Sequence, residues 1–308
     1  MTHPAGKEPD LRVDMGGFEM PNPVAVASGT FGYGSEYAEL IDLNHLGAIV
    51  VKGLRETPWI GNPPPRTHEV RSGMLNAIGL PGPGVERFLR DHLPFLNRYQ
   101  VPVIVNLWGL DAEEYGRIAE QLDDVEGIDA LELNVSCPNV KAGGVAFGTD
   151  PKLFAAVLDA VRPKTRKPLM PKLAPHVPDI GVFARAAQEH GADAISVMNT
   201  LPAMAIDIES RRPVLSNRHG GLSGPAIHPV AVKLVHDASR AVSIPVMGMG
   251  GVTCPEDALE LLIAGASSVA VGTANFTDPG TAERVVAGIR DYLMRHDMKS
   301  VSELTLAE

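Results

Sequence analysis

Short apolar, β-branched runs recur along the chain, each followed by a longer stretch with helical spacing. Eight such runs are legible: 24-VAVA-27, 48-AIVVK-52, 102-PVIVN-106, 130-ALELN-134, 168-PLMPK-172, 194-AISVM-198, 245-PVMGM-249 and 268-SVAVG-272. Several are apolar almost throughout, which is the pattern of a parallel strand covered on both faces. The intervening stretches carry helix ends. Asp150 precedes Pro151 and the apolar-spaced LFAAVLDAV, an N-cap followed by proline in the first turn. Asp179 precedes IGVFARAAQEH, and Gly191 follows it as a C-terminal cap; Pro255 opens PEDALELLIA and Gly265 closes it. Eight strands alternating with helices predict an α/β fold, a (β/α)8 TIM barrel rather than an open doubly wound sheet. With no linker, low-complexity tract or repeat period, residues 1–308 are expected to form a single domain.

Three connections are long: 53–82, 135–149 and 199–226. All three leave C-terminal strand ends, the face on which barrel enzymes carry their chemistry, and are expected to wall or cover a site there. The residues at those ends are polar or glycine: Ser28-Gly29, Lys52-Gly53, Asn106, Asn134, Lys172, Asn199-Thr200, Gly250-Gly251 and Gly272-Thr273. A single asparagine there is well explained as a turn or cap residue. The whole set, aimed by a barrel at one volume, is not. Glycines after the last two strands suit a phosphate site, so a mononucleotide cofactor fits. No GxGxxG follows an early strand, which argues against a dinucleotide site. The two lysines are compatible with a Schiff base or with a cation held near a flavin or an anionic substrate. The neighbouring carboxamides both donate and accept, and favour the second reading.

Composition narrows the classes further. The chain has 308 residues, 44% of them hydrophobic, and a net charge of −10. No basic cluster argues for nucleic acid or an anionic membrane, and no apolar run is long enough to span a bilayer. The start lacks the apolar centre of a signal peptide. Two well-separated cysteines, Cys137 and Cys254, are expected as free thiols in a cytoplasmic protein, and are too few for an iron–sulfur cluster. There is no HxH or HExxH; His176, His219 and His228 are scattered, and no metal is expected. Cys137 lies in 134-NVSCPNVKAGGVAFG-148, and on this reading it is a packed hydrophobe, a redox thiol, or an active-site base or nucleophile.

The motifs 22-NPVAVASGTFGYG-34, 52-KG-53, 73-GMLNAIGL-80, 134-NVSCPNVKAGG-144, 199-NTL-201, 204-MAID-207, 220-GGLSGPAIHP-229, 248-GMGG-251 and 271-VGTANF-276 together resemble the class 1 dihydroorotate dehydrogenases, most closely the NAD-linked class 1B catalytic subunits. The resemblance implies FMN as cofactor and oxidation of dihydroorotate to orotate in pyrimidine biosynthesis. Carried over by position, FMN would contact Ser28, Lys52, Gly53, Asn106, Asn134, Lys172, Met198, Gly224, Gly250, Gly251, Gly272 and Thr273. The substrate would contact Lys52, Asn76, Ala77, Ile78, Gly79, Leu80, Asn134, Asn199 and Thr200. Cys137 falls on the family's base, which takes the C5 proton while FMN N5 takes the C6 hydride. The resemblance also implies a homodimer joined by a partner subunit with FAD and a [2Fe–2S] cluster, a heterotetramer that passes electrons to NAD. Three places depart from the family's usual pattern: GLPGPG at 79–84, His176 in LAPHV and Ala203 in TLPAMAID. The neighbouring readings are a fumarate-linked class 1A enzyme and a dihydropyrimidine dehydrogenase-like flavin barrel. Outside redox chemistry, a lysine aldolase or a phosphosugar-binding barrel would keep the phosphate site.

Overall fold

All eight apolar runs form strands. They are β1 Val24–Val26, β2 Ala48–Leu54, β3 Val103–Leu107, β4 Ala130–Leu133, β5 Leu169–Pro171, β6 Ile195–Val197, β7 Val246–Met249 and β8 Ser268–Val271. The structure is a computed structural model and describes residues 8–135 and 144–307. Hydrogen bonding follows the order β6-β7-β8-β1-β2-β3-β4-β5, with every pair parallel. The ring closes between β5 and β6 through a parallel bridge from Lys172 to Ser196, beside which Leu173 N donates to Ser196 O at 2.9 Å. This is a (β/α)8 barrel, with edges removed by closure.

Six long helices cover the outside: α1 Ala112–Asp123, α2 Pro151–Val161, α3 Ile180–Glu189, α4 His228–Ser239, α5 Pro255–Ile263 and α6 Thr281–Arg295. Their ends follow local chemistry. Asp150 accepts from Lys152 N and Leu153 N, Asp179 from Gly181 N, and Asp111 from Glu114 N. Each satisfies amides that the first turn leaves without a helical partner. Gly191 (φ 81°) and Gly265 (φ 116°) take the left-handed conformation that ends α3 and α5.

Two connections depart from the alternation read in the sequence. After β1 there is no α-helix: the glycines of 28-SGTFGYG-34, with Gly32 at φ 57° and Gly34 at φ 86°, turn the backbone, and only a 3-10 turn at Leu43–His45 follows. Phe31 and Tyr37 stack there at 4.2 Å and substitute for helix packing. After β2 the cover is a composite, Val85–Arg87, a π turn Phe88–His92 and Leu93–Leu96, which buries Val85, Phe88, Leu93 and Leu96.

The interior of the ring is lined by small and flexible side chains, among them Ala25, Ala48, Ala130, Ala194, Ala270, Met170 and Met247. Met15 and Met20 join this cluster from a hairpin, Val13–Asp14 with Glu19–Met20. Gly16 and Gly17 of that hairpin pack on Asp193 and Pro168, which precede β6 and β5, so the hairpin stops the N-terminal end of the barrel. The larger apolar core lies between ring and helices, where side chains such as Leu131, Phe154, Val157 and Leu261 are fully buried, each stabilising by about 1.5–3 kcal/mol.

At the opposite end the long connections are more ordered than loops. Thr67–Val70, Gly73–Asn76, Gly220–Ser223 and Leu201–Ala203 form a four-stranded antiparallel sheet. It joins the stretch after β2 to the stretch after β6 in register, with Asn76 opposite both Thr67 and Gly221. Among the described residues, no helix is long and apolar enough to cross a membrane.

Candidate active site at the C-terminal strand ends

A cavity of about 470 Å³ opens at the C-terminal ends of the strands, beneath the four-stranded sheet. Seven of the eight strands or the turns just beyond them contribute to its wall. Ser28 follows β1; Lys52 and Gly53 lie in β2; Asn134 and Lys172 follow β4 and β5. Met198, Asn199 and Thr200 follow β6, Gly250 and Gly251 follow β7, and Gly272 and Thr273 follow β8. The covering sheet and its flanks add Asn76, Ile78, Gly79, Leu80 and Gly224. Residues distant in sequence are thus gathered into one volume.

Two residues assigned to the site lie behind its wall. Asn106 is fully buried and donates through Nδ2 to Glu132 Oε2 at 2.6 Å. Ala77 is also fully buried; its N–H donates to Arg66 O, and its carbonyl accepts from Asn62 Nδ2 at 2.9 Å. Packing explains both: Asn106 points into the ring toward β4, and Ala77 fastens the sheet edge to the 62–66 segment. Cys137 lies outside the described residues.

Asn106 belongs to a chain of carboxamides with a defined direction. Glu132 accepts from Asn106 on one oxygen and from Ser196 Oγ, at 2.7 Å, on the other. A carboxylate only accepts, so Asn106 turns its Oδ1 outward. Asn134 Nδ2 lies 3.5 Å from that oxygen, and Asn199 Nδ2 lies 3.4 Å from Asn134 Oδ1. Thr200 N donates to Asn199 Oδ1 at 2.8 Å. These long contacts are weak singly, but their shared polarity fixes which end of each amide faces the cavity. Tyr115 Oη donates to Asn134 O at 2.8 Å and pins the start of the connection after β4.

Lys52 supplies a cation whose surroundings are unusual. Its backbone N–H donates to Gly32 O at 2.9 Å, and the side chain is half-buried. Burial holds the ammonium pKa below the ordinary 10.5, and the nearby Arg66 pushes it the same way; Glu36 acts in the opposite sense. Lys172 is buried at the closing seam of the ring. On the other side, Thr273 Oγ1 donates to Ser223 Oγ at 2.8 Å and ties the end of β8 to the covering sheet.

The wall also contains residues absent from the sequence-derived set: Thr30, Glu36, Thr67, Ser223 and Phe276, the last half-exposed. Glu132, behind the wall, had a readable signal. It alternates with Ala130 and Asn134 on the inward face of an otherwise apolar strand, where a carboxylate needs partners. Ser223 and Glu36 carried none, because only tertiary pairing brings them to the cavity. The second cysteine, Cys254, stands at the N-terminus of α5, and burial raises its thiol pKa above 9.0. Its N–H donates to Asp257 at 3.2 Å, a structural role at a helix end. Among the described residues no group of three or more His, Cys, Asp or Glu side chains could hold a metal ion.

Residues 10–293 match the family model of dihydroorotate dehydrogenase. The chain is 52% identical over 297 residues to the dihydroorotate dehydrogenase B (NAD(+)) catalytic subunit of Geotalea daltonii, covering 96% of this chain and 97% of the relative. It is 51% identical over 295 residues to the subunit of the same name from Thermoanaerobacter pseudethanolicus, with the same coverage. In three dimensions it is similar to the crystal structure of a dihydroorotate dehydrogenase from Eimeria tenella in complex with ferulenol, with a TM-score of 0.78, 22% identity, and 99% and 90% of the two chains covered. At that identity the likeness speaks for the barrel alone. Half-identity along nearly the whole length to NAD-linked catalytic subunits says more: the chain belongs to the dihydroorotate dehydrogenase family, in class 1B.

Proposed function

We propose that this chain oxidises dihydroorotate to orotate for pyrimidine synthesis, with FMN held in the strand-end cavity. The carrying observation is the cavity itself. In a chain of this family, it gathers two lysines, directed carboxamides and a glycine rim in one volume. The fumarate-linked, pyrimidine-reducing and non-redox readings lack such support: the similar chains are NAD-linked catalytic subunits. The residues present suit FMN. A Cβ on Gly272 would meet nothing nearer than Ala27 at 3.7 Å, and one on Gly29 would meet nothing within 4 Å, so the wall is recessed where a flat ring and its chain need room. Gly250 and Gly251, at φ 134° and 74°, turn the backbone after β7 as an anion site there requires. Gly272 and Thr273 would share the phosphate; Ser28, Lys52, Gly53, Asn134, Lys172, Met198 and Gly224 would hold the rest, with Asn106 orienting Asn134 from behind.

FMN, when bound, supplies the hydride acceptor for C6 of dihydroorotate, a capacity no side chain has. The chain's own residues do the remaining work. Cys137 Sγ takes the C5 proton as general base, and the C5–C6 double bond forms as the two hydrogens leave. Lys52 would stabilise the negative charge of the reduced flavin and also touch the substrate. Asn76, Asn134, Asn199 and Thr200 orient the pyrimidine edges, while Ile78 to Leu80 exclude water above it. As a catalytic subunit in the cytoplasm, the chain would form a homodimer and bind a second subunit carrying FAD and a [2Fe–2S] cluster that delivers electrons to NAD.

Anaerobic addition of substrate tests this reading. The purified protein should be yellow, and dihydroorotate should bleach it while dihydrouracil leaves the colour. A colourless protein that FMN does not reconstitute, or equal bleaching by both compounds, overturns it.

A further inference from the structure

His228 is the first residue of α4 and stands directly behind the turn after β7. Its side chain is only 8% exposed. Nδ1 lies 2.8 Å from Gly250 O, and Nε2 lies 3.0 Å from Glu260 Oε2. Asp257 Oδ1 is 3.9 Å away on the same side. Among the described residues, Glu260 and Asp257, both from α5, are the ionisable groups within 4.0 Å of the ring. A neutral imidazole has one donor and one acceptor nitrogen. Here a carbonyl and a carboxyl group face the two nitrogens, and Glu260 itself is 63% exposed. A carbonyl oxygen can only accept, so Nδ1 carries a proton and donates to Gly250 O, while Nε2 faces Glu260.

We infer that His228 is a positioning residue for the phosphate of the bound flavin nucleotide, acting through the Gly250–Gly251 peptide. The carbonyl of Gly250 and the N–H of Gly251 belong to one peptide unit. A buried N–H donor on that oxygen polarises the unit and makes the N–H a stronger donor toward an anion. Contact holds the turn as well: a Cβ on Gly251 would stand 2.7 Å from His228 Cβ, so the glycine lies flat on the histidine. The imidazole is thus one peptide away from the rim of the cavity, shielded from solvent, with two carboxyl groups behind it. The effect is specific to the phosphate end, because the flavin ring would occupy the side of the cavity lined by Lys52 and Asn134.

This inference rests on the FMN reading above and separates from it experimentally. The full-length chain, stripped of flavin, is titrated with FMN and with riboflavin, which lacks the phosphate, and binding is followed by flavin fluorescence. The parent should bind FMN more tightly than riboflavin. His228→Asn, which is too short to bridge Gly250 O and Glu260, should weaken FMN by about tenfold and leave riboflavin within about twofold. Glu260→Gln sits on the exposed side and leaves the packing intact; it should shrink the same gap less. If the variants lose FMN and riboflavin in equal proportion, or lose neither, His228 has no phosphate-directed role. A parent that binds neither flavin would instead overturn the FMN reading.

Discussion

At the scale of single residues, the proposed mechanism divides the work between Lys52 and Cys137. Lys52 is half-buried in a cavity wall, and its lowered pKa shows that burial and Arg66 together outweigh Glu36. An ammonium held at such cost is available to meet new negative charge. Lys52→Ala should therefore slow reduction of the bound flavin by dihydroorotate by about ten- to a hundredfold, with FMN affinity within about threefold. Stopped-flow half-reactions measure this, and unchanged reduction rates would reject the role. The sign with pH follows: the charge is lost as pH rises through the lowered pKa, so the alkaline fall in reduction rate should begin below the ordinary lysine range. That limb should be missing from the residual rate of Lys52→Ala. In the proposed mechanism Cys137, as the base, governs the other limb. A serine hydroxyl is a much weaker acid than a thiol, so Cys137→Ser should lose about a hundredfold or more near neutral pH and recover in part at high pH. A variant that reduces its flavin at the parent rate, whatever the pH, would remove the cysteine from the mechanism.

At the scale of elements, each strand is short and its end is what matters. The glycines after β7 and β8 show two different reasons for the same residue type. Gly251 has φ 74° and a Cβ position 2.7 Å from His228, so Gly251→Ala should cost at least about 1 kcal/mol of stability and also weaken FMN. Gly272 has ordinary backbone geometry and open space before it, so Gly272→Ala should shift stability by less than about 0.5 kcal/mol yet reduce FMN affinity severalfold. Thermal melting of the stripped protein beside flavin titration distinguishes the cases; a melting loss at Gly272 equal to that at Gly251 would refute the distinction. The same contrast explains what was legible in the sequence. The eight strands were legible because buried parallel strands are apolar throughout, and helix ends because Asp150, Asp179, Gly191 and Gly265 act locally. The covering sheet was not, since Gly220–Ser223 pairs with Gly73–Asn76 across some 150 positions and its strands are short and glycine-rich. Ser223 and His228 were hidden for the same reason: each gains its partner, Thr273 or Gly250, only in the folded chain. The direction of Asn106 was not legible either, because a strand-end position does not reveal whether a side chain faces the cavity or the neighbouring strand; in the fold its Nδ2 donates to Glu132.

At the scale of the whole molecule, the barrel stops one end and opens the other. Met15 and Met20 seal the N-terminal end, the ring closes at Lys172 and Ser196, and the C-terminal end is left for chemistry under a sheet tied to β8. The charge distribution sets this opening against the rest of the surface. The chain carries a net charge of −10, whereas the cavity contributes, among the described residues, Lys52 and Lys172 against a single carboxylate, Glu36. FMN and dihydroorotate, the proposed ligands, are both anions, so the global field would repel what the local site would attract. The two act over different distances: the surface field extends about a Debye length, roughly 10 Å at 0.1 M salt, while the buried cations act at contact and are screened much less. Added salt should therefore weaken the repulsion on approach more than the attraction in the cavity. The association rate constant of FMN with the stripped full-length chain is expected to rise severalfold between low and physiological ionic strength, with a smaller change in the dissociation rate. Stopped-flow fluorescence at several salt concentrations measures both. An association rate that falls with salt would mean that the lysines of the cavity already dominate at a distance, and that the acidic surface plays no part in how ligands reach the barrel.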